Sequence, residues 1–376
     1  MKETQYLMAQ PMDREEIVDF ANFVFSQAHE PHDFKKLLPK AYADNAPDFS
    51  DWHFLAKQNG RIRAMVACRP LEMNMLDKKL SCGFIGTVSV HPYSRGEGHM
   101  KHLMKLAMDD ARQRGHDLMI LGGQRQRYNY FGFEHMGTSL HYSVNSTNLR
   151  HVLRDTDVSH ITFSVLTEEK SEEVDYCWNL SNSMPVHGTR PREEYMNIMH
   201  SWDAQCYVIH VNGKCAGYYM TAGEVMLEDE SLLPMVLKAY MQFAGVDEVS
   251  LHCAPYQKER IAILSRLCES RGIGTFEMIH IINYKKVVDT LLTLKASYMR
   301  LEDGVFTLQV DDQAPFTIRV KDNKVTVAEE GLTPDAALTH LEAQRLLMDL
   351  ESALCESRMP LGWLPLPFTM TAADTF

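Results

Sequence analysis

No apolar stretch in this sequence is long enough to cross a bilayer, and its first residues, MKETQYLMAQ, lack the charged-then-apolar pattern of a secretory leader. Both absences point to a cytoplasmic protein with no membrane partner. No CxxC pair or zinc-type spacing occurs among the eight cysteines, at 68, 82, 177, 206, 215, 253, 268 and 355. Scattered thiols of this kind are expected to be reduced and mostly buried. Positive charge is in short supply, with 38 Lys and Arg facing 50 Asp and Glu. The deficit is uneven: 19 against 17 in residues 1–150, and 19 against 33 in residues 151–376. That balance argues against nucleic acid as a partner and would draw a cationic small molecule to the acidic part. Low-complexity segments and long linkers are missing too. What remains is a chain of 376 residues, 45% hydrophobic and 23% charged, long enough for two or three domains with cores of their own. Its 23 methionines read as core filler.

Two stretches echo each other. HFLAKQNGRIRAMVACRP (53–70) and YVIHVNGKCAGYYMTAGE (207–224) each place Asn-Gly between β-prone runs, which predicts two hairpins with tight turns. A helical segment, a glycine and a short apolar strand follow each. They are 98–114, Gly115 and DLMIL (117–121) in the first copy, and LLPMVLKAYMQFA (232–244), Gly245 and EVSLH (248–252) in the second. A duplicated α/β unit is the simplest account. From about residue 286 the texture changes to a helix-like KKVVDTLLTL and three short strand-like runs, GVFTLQV, FTIRV and KVTV. LTHLEAQRLLMDLESAL follows, with Thr339 and Glu342 spaced as a capping box. The predicted domains are 1–150, 151–285 and a small α+β unit at 286–376.

Only the first copy carries the run VSVHPYSRGEGHMKHLM (88–104); EDESLLP stands at the matching place in the second. FIGTVSV (84–90) is β-prone, Pro92 stops it, and Met100, Leu103, Met104, Ala107, Met108 and Ala111 then recur at helical spacing. The segment therefore reads as strand, loop and amphipathic helix. A helix N-terminus presents unpaired N–H groups and partial positive charge, glycines allow close approach, and Arg95 adds a charged donor. Such a loop suits a pyrophosphate. Taken alone, an ordinary connection with a solvated arginine is an equal reading.

The spacing is that of neither a Walker loop nor a dinucleotide fingerprint. Arg95-Gly96-Glu97-Gly98-His99-Met100 resembles the R/Q-x-x-G-x-G/A signature of the GNAT acyltransferase superfamily, with Met100 departing from the small last residue. Some thirty residues on, Tyr128, Phe131, Gly132 and Phe133 are similar to that superfamily's Tyr-x-x-Phe-Gly-Phe/Tyr block. The order of elements over nearly the whole chain looks like the Eis (enhanced intracellular survival) family of N-acetyltransferases, in which a residue such as Met100 is tolerated. The resemblance implies an α/β (α+β) architecture: two tandem GNAT-fold domains with mixed, largely antiparallel sheets, then a sterol-carrier-protein-like domain. It also implies acetyl-CoA as co-substrate, no metal, a primary amine as acceptor (aminoglycoside-like, polyamine-like or lysine-type) and a homo-oligomer, hexameric in relatives. By the same resemblance Tyr128 is the general acid and the terminal carboxylate of Phe376 the general base. Val88 and Val90 would hold the pantetheine arm, and Arg95, Gly96, Gly98, His99 and Met100 the pyrophosphate.

The chemistry asks for such parts. An alkylammonium must lose a proton before it can attack, a deficit of roughly 4 kcal/mol at neutral pH, and the leaving thiolate needs a proton donor. Tyr130 competes with Tyr128 for that role. The aromatic end after the run WLPLPF looks like a buried terminus, although chain ends commonly fray. His91, His99, His102 and His116 show no metal-ligand spacing and read as surface or loop residues. Glu97, Arg125 and Arg127 read as solvated, and Asp374 as an acid near the end that could meet a cation. Two further readings stand. The protein could be a non-catalytic lipid or acyl-CoA binder built on the C-terminal domain, or it could transfer a longer acyl chain, as N-myristoyltransferases do.

Overall fold

Asn59 and Gly60 sit at φ of 52° and 73°, and Asn212 and Gly213 at 52° and 76°. These angles close tight hairpins whose twist matches that of the strands. His53–Gln58 pairs antiparallel with Arg61–Met75, and Cys206–Val211 pairs with Lys214–Met220. Both expected hairpins are present. The computed structural model describes residues 3–27, 30–352 and 358–376. In it, helix His99–Gln113, Gly115 at φ 75° and strand Leu118–Leu121 follow the first hairpin region. Helix Leu233–Ala244, Gly245 at φ 68° and strand Glu248–Cys253 follow the second. Each glycine takes the left-handed position that ends a helix.

The fold is mixed α/β. The main sheet runs Thr4–Met8, His53–Gln58, Arg61–Met75, Lys78–Val90, Leu118–Leu121, Met278–Ile281, Glu134–His135. Its pairs are antiparallel except Lys78–Val90 with Leu118–Leu121, which is parallel from Cys82↔Leu118 to Ile85↔Leu121. On one face helix His99–Gln113 buries Leu103, Met104, Ala107 and Ala111 completely. Each large apolar side chain so placed stabilises by about 1.5–3 kcal/mol relative to exposure. On the other face helix Arg14–Ser26 and the aromatic residues Tyr42, Phe49 and Trp52 form a second core.

The two copies exchange strands. Ser139–Asn145 leaves the first unit and lies between Glu248–Cys253 and Arg271–Gly274. Met278–Ile281 crosses back and completes the first sheet beside Leu118–Leu121. The cut at 150 therefore divides the sequence but not the sheets, whereas the last four-stranded sheet lies wholly beyond 285. In the last unit, helix Tyr284–Tyr298 packs on Gly304–Val310, Phe316–Lys321 and Lys324–Ala328, and a further strand, Ala336–Leu338, pairs parallel with the first of these. Thr339 and Glu342 form the predicted capping box, with Thr339 N–H donating to Glu342 Oε2 at 2.9 Å. The helix stops at Met348, where Asp349 turns extended and accepts from the Glu351 N–H at 3.0 Å. One core joins this unit to the main sheet, with Val287, Leu291, Phe306 and Trp363 against Leu80, Cys82 and Leu118. From Pro360 on, the chain runs back across the first unit.

Among the described residues no helix is long and apolar enough to cross a membrane. Seven cysteines are free, five of them buried; Cys355 lies outside the described residues.

Candidate active site

Opposite Val66 the strand Lys78–Val90 carries a bulge: Met65 pairs with Ser89 but Ala67 with Gly86. Thr87 absorbs it at φ 43°, a strained angle for a β-branched residue, costing about 1–3 kcal/mol. Two hydrogen bonds hold it there, Thr87 Oγ1 with the buried Tyr42 hydroxyl at 2.9 Å and Ser89 Oγ donating to the Thr87 carbonyl at 2.8 Å. The bulge lies just past the last parallel pair, Ile85↔Leu121. Beyond it the two strands part, so the edge from Gly86 to Val90 has no strand partner on that side. A bulge at this point re-aims the strand and ends the pairing.

At the far end of this edge lies the loop. Gly96 and Gly98 take φ of 86° and 81°, and a Cβ on either would meet nothing within 4 Å. Arg95 is exposed beside them. Gly98 is the N-cap of helix His99–Gln113, with no side-chain cap, so the first-turn amides are left for an outside acceptor. The Met100 side chain packs into the same core cluster as Val88, Val90 and Tyr128. The residues present thus fit a diphosphate. They include exposed donors, space over two glycines and a guanidinium.

Tyr128 ends the short helix Arg125–Tyr128 and is 5% exposed, whereas Tyr130 is 70% exposed under Lys101, whose Nζ stands 4.4 Å above its ring. Burial raises the Tyr128 pKa, and Arg127 offsets part of the rise. Gly123 lets the Tyr128 ring close on the backbone; a Cβ there would come within 2.8 Å of Cε2. Phe376 approaches the same strand ends from the opposite side. Its ring lies over Gly86 and meets Trp52 edge-on at 5.5 Å and Phe84 at 6.3 Å. A cavity of about 300 Å³ is lined by Phe376, Thr375, Phe84, Gly122 and Glu277.

The tail before Phe376 is fastened by buried charge. Asp374 pairs with Arg190, which also forks onto Glu224. Lys40, 2% exposed, donates to the carbonyls of Ala373, at 2.9 Å, and Thr375. Burial lowers the Lys40 pKa to about 7.

Several expectations change. His99 and His116 are buried: the His99 ring bonds the Tyr6 hydroxyl at 2.9 Å through Nδ1, and His116 Nδ1 bonds Ser81 Oγ at 2.8 Å. Only the backbone of His99 is thus free to meet a phosphate. Glu97, though exposed, folds back onto His99 Nε2 at 3.0 Å and Gln58 Nε2 at 2.8 Å. Arg125 stays exposed, as expected, but pairs with the buried Glu134, which Arg345 also contacts at 2.8 Å. Asp374 already has its cation in Arg190.

Glu277 is the acid that the sequence reading missed. It is partly buried, and among the described residues no hydrogen bond or ion pair reaches its carboxylate. Burial raises its pKa, with His135 pulling the other way. A charge inside the apolar run FEMIHII (276–282) was the available signal. Among the described residues no group of His, Cys, Asp and Glu is placed to hold a metal.

Residues 6–136 match the family model described as "Acetyltransferase (GNAT) domain". The class of this part of the chain is thereby defined: it carries a GNAT acetyltransferase domain. Compared with curated proteins, the chain matches none. Among solved structures it is similar to a GCN5-related N-acetyltransferase from Kribbella flavida, with TM-score 0.67 at 12% identity over 100% of this chain and 99% of that one. Eis1 from Mycobacterium abscessus gives 0.65 at 14%, covering 100% of each chain. A GCN5-related N-acetyltransferase from Anabaena variabilis gives 0.63 at 13%, over 92% of this chain and 89% of that one. At these identities the likeness is one of fold, and it extends over the whole architecture.

Proposed function

We propose that the protein is an acetyl-CoA-dependent N-acetyltransferase of a primary amine, with Tyr128 as general acid and the terminal carboxylate of Phe376 as base. The observation that carries this reading is the parted strand edge Gly86–Val90, with the Arg95–Gly98 loop at one end and Tyr128 and Phe376 near the other. Bound acetyl-CoA supplies an activated acyl group. Backbone groups near Val88 and Val90 accept and donate along its pantetheine arm. Amides of Gly96, Gly98, His99 and Met100, with Arg95, hold the diphosphate. The groove of about 790 Å³ beside Gly98, with Lys101, Lys105 and Arg112 along it, suits the 3′-phosphate end.

Tyr128 hands its phenolic proton to the departing sulfur as the C–S bond breaks. The Phe376 carboxylate takes, directly or through water, the proton that the amine nitrogen loses as it bonds the carbonyl carbon. Backbone N–H at the parted edge stabilises the oxygen that gains charge meanwhile. Residues 1–150 and 151–285 are read as two GNAT-type units interlocked by exchanged strands. Residues 286–376 are read as a sterol-carrier-like unit whose role here is to deliver the tail. Appending a few residues after Phe376 tests the scheme. Turnover should collapse while acetyl-CoA still binds; a fully active tagged protein removes the carboxylate from the mechanism.

A further inference from the structure

We infer that the acceptor is an amine bearing a single ammonium group on an apolar body, received through the cleft of the second unit with its charge against Glu277. This rests on the acetyltransferase reading above and narrows it.

The cleft is the second unit's counterpart of the parted strands. In the first unit Lys78–Val90 and Leu118–Leu121 pair briefly and then separate. The matching strands of the second unit, Glu224–Leu227 and Glu248–Cys253, lie in different sheets and do not pair at all. Between them is a cleft of about 770 Å³, which Met226 lines from one side and His252 from the other. It lacks the means to hold a diphosphate. Where the first copy has Arg95-Gly96-Glu97-Gly98, this copy has an acidic stretch, and Asp229 caps the Ser231 N–H at 2.9 Å. An anion would meet carboxylates there, so the duplicated slot is left for another ligand.

The cleft also reaches the acyl centre. Ala222, Glu277, Ala372 and Thr375 line both it and the smaller cavity that holds Phe376 and Gly122. A ligand lying in the cleft thus points one end at the strand termini where the thioester carbonyl is proposed to sit.

Charge decides what that ligand is. Glu224 is neutralised by the two-pronged contact with Arg190, and Glu230 by Arg260, whose Nε donates at 2.9 Å. Glu259, at the rim, is exposed to solvent and so is not a charge inside the cleft. His252 and His141 face each other at 4.4 Å between ring centroids, and burial lowers the pKa of His252, so it adds no charge near neutral pH. Glu277 is left without an ion-pair or hydrogen-bond partner among the described residues, with only the weaker pull of His135 on it, where the cleft meets the smaller cavity. The walls around it include Met184, Met226, Tyr256, Phe276 and Met370. One ammonium satisfies Glu277 there. Each further ammonium of a polycation would face apolar side chains or carboxylates already taken, an unpaired charge withdrawn from water.

The experiment is steady-state kinetics of the full chain with acetyl-CoA and three acceptors: 2-phenylethylamine, spermidine and the aminoglycoside kanamycin. The expected kcat/KM for 2-phenylethylamine exceeds both polycations by about tenfold or more. Glu277→Gln lowers it by about tenfold, and the bulky Ala222→Phe, at an exposed position of the shared wall, raises the KM for the amine. Both variants keep the wild-type Kd for acetyl-CoA. Preference for either polycation overturns the inference, as does unchanged amine kinetics in Glu277→Gln, or in Ala222→Phe should the first variant not fold. In those cases turnover persists and the acetyltransferase reading survives. Absence of turnover with every amine rejects both.

Discussion

Arg190 Nε donates to Asp374 Oδ1 at 2.8 Å with both side chains 2% exposed, and the same guanidinium holds Glu224 at 2.9 and 3.0 Å. A strand of the second unit and the last turn of the chain are thus fixed to one cation. Burial alone would raise the Asp374 pKa, but the charge and hydrogen bonds of Arg190 hold it below the usual carboxylate range. Breaking such a pair strands a buried charge, which costs about 3–5 kcal/mol. Asp374→Ala should therefore lower Tm by several degrees and reduce turnover, since the tail loses its anchor. Thermal unfolding of the variant showing no loss of Tm would mean that the anchor lies elsewhere.

Gly86 is the floor beneath Phe376. A Cβ at this position would fall 2.3 Å from two ring carbons of Phe376, far inside contact distance. Gly86→Val should push the aromatic ring off the strand, lower kcat about tenfold or more, and quicken release of the last residues by carboxypeptidase. Gly272→Ala, whose added carbon would meet nothing closer than 3.9 Å, serves as the control and should behave as wild type.

Burial separates the two candidate tyrosines, and single substitutions tell them apart. With its pKa raised by burial, the Tyr128 phenol stays protonated throughout the range in which an ordinary tyrosine does, to about pH 10. Tyr128→Phe should lower kcat by about a hundredfold and change acetyl-CoA binding little. Tyr130→Phe, at a 70% exposed position, should leave kcat near wild type. A fall in kcat that begins well below pH 10 would assign the acid to another group.

Local rules were enough for the local structure. Asn-Gly pairs announced both hairpins, Gly115 and Gly245 ended the helices where expected, and Thr339 with Glu342 opened the helix that they predicted. Strand partners were not legible. Ser139–Asn145 and Met278–Ile281 each read as short β-prone runs, and nothing within seven or four residues states which sheet will take them. Pairing depends on which edges the rest of the fold leaves open. Charges met the same limit. Arg190 and Lys40 look like any surface charge in sequence, Glu277 is set apart only by the apolar run around it, and the packing of distant segments makes the first two interior and leaves the third without a hydrogen-bond partner among the described residues. The loop at Arg95 was legible as a shape because glycine writes backbone freedom directly into the sequence, and Gly96 and Gly98 do take positive φ.

Arg95 stands exposed next to the two glycines, free to reach an anion. Arg95→Ala should raise the acetyl-CoA Kd by about tenfold with kcat at saturation little changed. The wild-type affinity should also fall with added salt more steeply than that of the variant, because the lost contact is electrostatic. Equal salt dependence in a titration of the two proteins would take Arg95 out of the binding site.

Lys40 ties stability to pH. Its amine is buried against the carbonyls of Ala373 and Thr375, and burial, reinforced by Arg69 and Arg190 against the opposing pull of Asp374 and Glu224, lowers its pKa from 10.5 to about 7. Between those two values the unfolded chain binds a proton that the folded chain does not. Stability therefore rises with pH through this window, and the cost of the buried ammonium is felt in full only below about pH 7. The neutral amine still donates to both carbonyls, so the tail stays fastened as the proton leaves. Lys40→Met removes this titration. The difference in unfolding free energy, wild type minus variant, should increase from pH 7 to pH 9.5 in denaturant titrations at matched ionic strength. A flat difference would show that Lys40 keeps its charge when folded, with solvent or a carboxylate meeting it in the interior.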